Sequence, residues 1–327
     1  MLSMQKNSAV SIFKGLAILG VVAHHLANRR FAEPMRSEIG WLGGVTDWVV
    51  PAFILVSGYL HGLSHARKPV GFQKFAMSRA RRLMLPFVIV GIVYGILYTV
   101  LIDTGLLTDP NGLKDTAWWQ RCWACLTLQS GGVGEQLYFF PLLFVISIVA
   151  VILLTALRYQ AKGLIAGAVG MFLFAVLMAC SNLRDYSFIW PMDRLAYAIG
   201  LYLVGFSMSG HKRETRNWAW MAAGLVMLFL FMGKLSLVQL VVPVLLLTGL
   251  LALNAGCAPL ERVGEASGTI FLYHTPFVLQ PLLILIAIKV PAHFKVVGAY
   301  GAGLTVILVL TLIHSILVKT RLKLMTV

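Results

Sequence analysis

The stretch LMLPFVIVGIVYGILYTVLI at residues 83–102 runs for 20 residues without a charged side chain. A helix of about 20 apolar residues is long enough to cross the roughly 30 Å hydrocarbon core of a bilayer. Such a helix has no polar face to turn towards water, and in lipid it satisfies its own backbone hydrogen bonds. The stretch therefore predicts a transmembrane helix.

Similar apolar stretches recur along the whole chain. Hydrophobic residues make up 59% of the 327 residues and charged residues only 12%, whereas a soluble domain carries about 25% charged residues. We predict an all-α, polytopic transmembrane helical bundle of about ten spanning helices that forms a single membrane domain over residues 1–327. The predicted spans cover approximately residues 10–28, 46–64, 83–102, 136–156, 162–180, 192–210, 217–233, 235–253, 268–288 and 297–318.

The basic residues predict the orientation. The net charge is +15, but the cations lie in the loops between spans and form no single patch, which argues against a nucleic-acid partner. With the N-terminus in the cytoplasm, 17 Lys and Arg residues fall on the cytoplasmic side and 9 on the outer side, with Arg194 left inside the sixth span. The positive-inside rule therefore predicts that both termini lie inside. The expected location of this multi-pass protein is the cytoplasmic (inner) membrane.

The longest predicted loop, residues 103–135, carries three tryptophans and a Cys-x-x-Cys pair. Tryptophan is enriched at membrane interfaces, so we expect part of this loop to lie in the interface. Cys122 and Cys125 are predicted to lie outside the membrane, where they either form a disulfide or pack as two small apolar residues. With no second pair and no nearby histidine, no metal site is expected.

The first span carries titratable residues that are costly inside a membrane and therefore point to function. Lys14 and His25 are eleven positions apart, which at about 100° per residue places them within roughly 20° of each other and about 16 Å apart along the axis. A neutral imidazole can accept a proton from a hydroxyl, so His25 is a candidate general base and Lys14 its catalytic partner. The alternative is a histidine that packs between helices. His24 lies about 100° further round the helix.

Basic residues also precede the third span. Arg79 and Arg82, at i and i+3, are predicted to share a helical face, with Arg81 between them. Guanidinium groups suit phosphates such as those of coenzyme A, so the three arginines are candidate coenzyme A-binding residues. The alternative is an anchor against anionic lipid.

Other polar residues in apolar surroundings are candidate substrate-binding or supporting residues. Ser57 with Gly58 forms a small-residue notch that can equally serve helix packing. Arg194 follows Asp193, and an ion pair that only stabilises the fold is the alternative for these two residues. The candidates are Ser57, Glu135, Tyr138, Arg194, Tyr273 and His274.

The order and spacing of these motifs resemble the acyltransferase-3 family of integral membrane acyltransferases, over nearly the whole chain. The matching segments are Lys14 through His25, Phe53 to Tyr59, Arg79-x-x-Arg82 before Leu85-Pro86, and Ser267 through His274. The chain departs from the usual family pattern in two places: Lys14 stands where arginine is common, and Gln136-Leu137-Tyr138 stands where a His-Leu-Trp-like sequence is common.

The resemblance implies an O-acyltransferase that takes an acyl group, commonly acetyl, from cytoplasmic acyl-coenzyme A. The acceptor would be a hydroxyl of a cell-envelope or exported polysaccharide, or of its lipid-linked precursor, and the expected partners are the lipid bilayer, that glycan and polysaccharide assembly proteins. In this reading His25 is the base or a transient acyl acceptor. The alternatives are a transporter or flippase for an acylated or glycosylated lipid or oligosaccharide, although no internal repeat is found, and a non-catalytic scaffold.

Overall fold

A computed structural model of the protein describes residues 8–27, 41–105, 116–126, 135–180, 191–210, 237–253 and 256–320. The structure is 90% helical and contains no strand among these residues, which confirms the all-α class. Two of its helices are interrupted by π-helical segments, in which the backbone bonds join residues five apart instead of four.

The helices follow one another with short connections. In chain order they are α1 (Ser8–Leu26), α2 (Trp41–Val45), α3 (Val49–Arg67), α4 (Phe72–Arg79), π1 (Ala80–Met84), α5 (Leu85–Asp103), α6 (Trp118–Leu126), a 3-10 turn (Glu135–Tyr138), α7 (Phe139–Ala156), α8 (Ala161–Cys180), α9 (Met192–Gly210), α10 (Leu237–Leu253), α11 (Ala258–Glu265), α12 (Ser267–Tyr273), π2 (His274–Leu279), α13 (Gln280–Lys289), a 3-10 turn (Ala292–Phe294) and α14 (Lys295–Lys319).

Five helices within the described residues are long and apolar enough to cross a membrane. They cover Ser8–Leu26, Trp41–Arg67, Phe72–Asp103, Phe139–Ala156 and Lys295–Lys319. Shorter apolar helices cover Gly163–Ala175 and Val241–Leu253. The predicted span 217–233 lies outside the described residues, so the count of about ten spans stays a prediction, as do the orientation and the single domain.

The third predicted span begins earlier in the structure than in the sequence analysis. Helical backbone runs from Phe72 to Asp103 and includes π1, so the candidate arginines and the predicted span belong to one helical segment. The apolar pattern marks only the part of the helix that is hydrophobic. Gln, Lys, Met and Arg are also good helix formers, and they extend it towards Phe72.

The ninth predicted span, 268–288, is divided into α12, π2 and α13. Pro276 lies inside π2 and Pro281 follows at the start of α13. A proline has no backbone N–H, so it cannot complete the regular bond to the carbonyl four residues before it. The two prolines explain why one hydrophobic stretch forms an interrupted helix.

The chain divides into two compact units. Unit 1 comprises residues 1–46, 78–141 and 256–327, and unit 2 comprises residues 47–77 and 142–255. Within unit 2, α9 packs along both α3 and α8, and α10 packs against α3. The Tyr202 hydroxyl lies 3.0 Å from His61 Nδ1 in the buried contact between α3 and α9.

Within unit 1, α6 packs against α5 and turns its tryptophans outwards. Trp118, Trp119 and Trp123 are exposed, as expected for an interfacial segment. On the opposite face Cys122 is a free, buried cysteine whose Cα lies 2.6 Å from where a Gly95 Cβ would stand. Burial raises the pKa of the Cys122 thiol. Cys122 therefore packs as a small apolar residue and forms no disulfide here, while the Cys125 side chain lies outside the described part.

Candidate active site

Helix α1 is held against α11 by two glycines that let the backbones touch. A Cβ at Gly264 would overlap the Ser11 carbonyl oxygen, and a Cβ at Gly15 would overlap the Leu260 carbonyl oxygen. No larger residue fits at either position unless a backbone moves, which is the usual reason for small residues at a membrane helix interface. The contact fixes Lys14, next to Gly15, beside the end of α11.

Charged groups gather around Lys14 within unit 1. The half-buried Lys14 ammonium is repelled by Arg82 and attracted by Glu265. His314 of α14 interacts electrostatically with both Lys14 and Glu265, and its Nδ1 lies 2.8 Å from the Thr269 hydroxyl oxygen. We call Lys14, Arg82, Glu265 and His314 the Lys14 cluster. It balances a concentration of positive charge with one carboxylate.

The π1 segment sets the position of Arg82. The Leu85 N–H donates to the Ala80 carbonyl oxygen, a bond across five residues, and the extra residue rotates Arg82 relative to Arg79. The i, i+3 spacing of the two arginines therefore crosses a π turn. Arg79 and Arg82 still lie near enough to repel each other. Arg81 and Arg82 are exposed, so a ligand can reach Arg82 from the surface.

Near the other end of α1, His25 lies beside His274 of π2. The His25 and His274 rings have centroids 5.0 Å apart and are tilted by 51°. His274 is fully buried, and its Nδ1 lies 2.9 Å from both the Ile270 and the Phe271 carbonyl oxygens. Within the described part of the chain, His25 Nδ1 and His274 Nε2 are buried without a hydrogen-bond partner. We call these two residues the histidine pair.

The neighbouring His24 has a different environment. Its Nδ1 lies 3.1 Å from the Thr46 hydroxyl oxygen, and that hydroxyl donates to the Leu42 carbonyl oxygen at 2.5 Å. Because the single hydroxyl proton is already used, His24 Nδ1 must donate to Thr46. His24 therefore ties α1 to α2, in contrast to the unpartnered Nδ1 of His25.

The structure brings together some of the sequence-predicted residues and leaves others apart. Lys14, Arg79, Arg82, His25 and His274 all belong to unit 1. Tyr273 and Tyr138 are half-buried residues of the same unit, and Tyr273 contacts the Phe277 ring at 5.9 Å between centroids. The Glu135 side chain lies outside the described residues.

Ser57 and Arg194 belong to unit 2. Ser57 precedes Gly58, where a Cβ would overlap the Tyr202 carbonyl oxygen, and a Cβ at Gly205 would overlap the Leu55 carbonyl oxygen in return. This reciprocal contact supports the helix-packing role of the notch. Arg194 is exposed in the first turn of α9.

Sequence reasoning missed Glu265, His314 and Thr269. The segment from Ala258 to Glu265 resembles a polar loop between spans, although it forms a helix against α1. Gly264 was the available signal, because a glycine inside a helical pattern often marks a close backbone contact. No cluster of three or more metal-ligand side chains occurs among the residues that the structure describes.

A scan against protein families matches the acyltransferase-3 family, described as an acyltransferase domain, over residues 7–318. The family match and the apolar helices together support a multi-pass membrane acyltransferase. The chain belongs to the acyltransferase-3 family. Searches of curated proteins and of solved structures gave no match.

Proposed function

We propose that the protein is an O-acyltransferase of the cytoplasmic (inner) membrane. It moves an acyl group, with acetyl as the first candidate, from cytoplasmic acyl-coenzyme A to a hydroxyl of a cell-envelope or exported polysaccharide or of its lipid-linked precursor. One observation carries the proposal: Lys14 of α1 lies in the Lys14 cluster, while the ring of His25, further along the same helix, lies beside the ring of His274. Regular helix geometry separates Lys14 and His25 by about 16 Å along the axis.

The Lys14 cluster suits the phosphates of the donor. Arg79 and Arg82 repel each other, and a phosphate between them would replace that repulsion with charge-assisted hydrogen bonds. Lys14 adds a third cation next to Arg82, and Glu265 balances it while the donor is absent. With the nucleotide of the donor bound at the Lys14 cluster, the extended pantetheine arm can follow α1 and bring its thioester to the histidine pair.

The histidine pair suits the transfer itself. His25 removes the proton from the acceptor hydroxyl, whose oxygen then attacks the thioester carbonyl carbon. A carbon–oxygen bond forms, the carbon–sulfur bond breaks, and the imidazolium returns its proton to the coenzyme A thiolate. Neutral His25 is restored, and the products are an ester and a free thiol. The surrounding apolar helices limit hydrolysis of the thioester by excluding water.

A transporter or flippase is the second candidate. The observation that favours it is the interruption of a hydrophobic helix at π2, because broken helices are common at transporter substrate sites. The adjacent imidazoles of His25 and His274 favour the enzyme, since an imidazole can accept the proton of an acceptor hydroxyl.

The test is transfer of label by the purified protein in liposomes supplied with radiolabelled acetyl-coenzyme A and the glycan or lipid-linked acceptor. We expect radiolabel in the glycan as an alkali-labile ester, and none when the labelled donor is replaced by labelled acetate. Movement of the acceptor across the liposome membrane without incorporation of label would support the transporter instead. Polysaccharide assembly proteins, as proposed partners, are omitted so that the chain is tested alone.

A further inference from the structure

Among the residues that the structure describes, two buried nitrogen atoms without hydrogen-bond partners belong to neighbouring rings. They are His25 Nδ1 and His274 Nε2, whose imidazoles lie with centroids 5.0 Å apart. Buried polar atoms in native structures nearly always have a hydrogen-bond partner, so two neighbouring exceptions require an explanation. The explanation is which nitrogen of each ring carries the proton.

The tautomer of His274 follows from its contacts. Its Nδ1 lies 2.9 Å from the carbonyl oxygens of Ile270 and Phe271, and carbonyl oxygens only accept hydrogen bonds. Nδ1 must therefore carry the proton. In a neutral ring the other nitrogen, Nε2, then holds a lone pair and can only accept. The full burial of His274 keeps the ring in this orientation.

The tautomer of His25 follows from that of its neighbour. If Nδ1 of His25 also held a lone pair, two acceptors would remain buried together and neither would have a donor. If Nδ1 carries the proton, it can donate to His274 Nε2, either after a small rotation of the ring or through one bound water. His24 does not compete for this proton, because its own Nδ1 donates to Thr46.

We propose that His274 is a positioning residue that holds His25 in the Nδ1–H tautomer and so presents the Nε2 lone pair of His25 as the base. The role of that lone pair rests on the proposed function, whereas the tautomer does not. When Nε2 takes the acceptor proton, the positive ring donates a stronger, charge-assisted bond to His274. His274 Nδ1 keeps its proton throughout and donates it to the two backbone carbonyl oxygens, so no proton is relayed through His274.

The experiment is solid-state NMR of the full chain in lipid bilayers, labelled with ¹³C,¹⁵N-histidine. Carbon and nitrogen shifts distinguish the two imidazole tautomers, and the His25 signals are assigned by their loss in His25→Gln. We expect Nδ1–H for His25 in the wild type. A predominant Nε2–H tautomer of His25 in the wild type overturns the proposal, whatever the variants do.

Two variants at position 274 separate positioning from packing. His274→Leu removes the acceptor and should shift His25 towards Nε2–H, while His274→Gln supplies an amide oxygen at similar reach and should keep Nδ1–H. His24→Gln is the control and should leave the His25 tautomer as it is. An unchanged His25 tautomer in folded His274→Leu, or the same shift in both variants, contradicts the proposal. If His274→Leu does not fold, the wild-type and His274→Gln spectra decide.

Acyl transfer provides the second readout. His274→Leu should lower transfer by roughly 10- to 100-fold, the size of effect seen when a metal-ligating histidine loses its orienting partner, with His274→Gln less impaired and coenzyme A affinity unchanged in both. Equal activity losses in the two variants would contradict the positioning role. The NMR spectra need no substrate. Absence of acyl transfer in the wild type would therefore reject the proposed function alone and leave the tautomer result to stand by itself.

Discussion

Lys14 and Glu265 are oppositely charged residues on two helices that touch through glycines. Either charge alone is costly in apolar surroundings, and Lys14 is also repelled by Arg82. We predict that Lys14→Met and Glu265→Gln each lower the thermal stability of the protein, and that the double variant loses less than the sum of the two. The coupling free energy should be about 0.5–3 kcal/mol. Additive losses would show that the two groups act independently.

The arginines offer a second prediction at the residue scale. Arg79→Ala and Arg82→Ala should leave the protein in the membrane and weaken coenzyme A binding by about 1.5–3 kcal/mol for each lost charge-assisted contact. The exposed Lys74 of α4 provides the control, because Lys74→Ala removes a cation from the same continuous helix. Titration of labelled coenzyme A onto purified protein measures the affinities. A lipid anchor would give unchanged affinity and poor insertion.

The spacing between Lys14 and His25 could be predicted from the sequence, because a helix repeats regularly and the first span contains no proline. Their partners could not. Glu265 and His274 come more than 200 residues later in the chain, and only the packing of α11 and π2 against α1 brings them close. Local periodicity contains no information about such pairs.

At the scale of elements, the Gly15–Gly264 contact between α1 and α11 is the feature that locates the Lys14 cluster. Gly264→Val should force the two backbones apart, because a Cβ there overlaps the Ser11 carbonyl oxygen. We expect a loss of about 1–3 kcal/mol of stability, with acyl transfer falling as well. Thermal unfolding in detergent and transfer assays measure the two effects.

Gly301 of α14 is the matched control for Gly264. No atom of the described residues lies within 4 Å of where a Gly301 Cβ would stand, so Gly301→Ala should be neutral or slightly stabilising through its better helix propensity. Equal losses in the two variants would mean that any added side chain disturbs the protein, and the α1–α11 contact would then have no special role.

The two π segments explain where prediction of the elements failed. Residues 78–86 and 267–276 were recognised as motifs in the sequence, but the π-helical segments within them were not predicted. Hydrophobic patterns indicate which residues are buried, and they do not show whether a backbone hydrogen bond joins residues four or five apart. Prolines at 86 and 276 were the available signals. π-helical turns are frequent at functional sites, and here they contain Arg82 and His274.

At the scale of the whole molecule, the proposed donor site requires the segment between α3 and α5 to face the cytoplasm. The 17-to-9 distribution of cations predicts this orientation. A cysteine placed at Lys74 in a cysteine-free background should resist a membrane-impermeant thiol reagent in intact cells and react after the membrane is opened. The reverse result would put the donor site on the outer side and reject the topology.

The composition was sufficient to predict the all-α class and the membrane location, because no soluble fold is compatible with so few charges over so many apolar residues. The number of spans is harder to derive. The helix from Phe72 is longer than its apolar part, while the hydrophobic stretch 268–288 forms an interrupted helix. Hydrophobicity along a chain thus gives the class of fold with more certainty than the boundaries of its helices.

The most direct test of the account compares His25 with His24 in the liposome transfer assay. The two residues are adjacent imidazoles on α1. His25 lies beside His274, and its buried Nδ1 has no hydrogen-bond partner among the described residues, whereas His24 donates to Thr46. His25→Ala should lower acyl transfer by about 10²–10⁴-fold at normal protein level and donor affinity, the usual contribution of general-base catalysis. His24→Ala should retain a substantial fraction of activity. Wild-type transfer in His25→Ala would remove the imidazole from the mechanism and contradict the central claim.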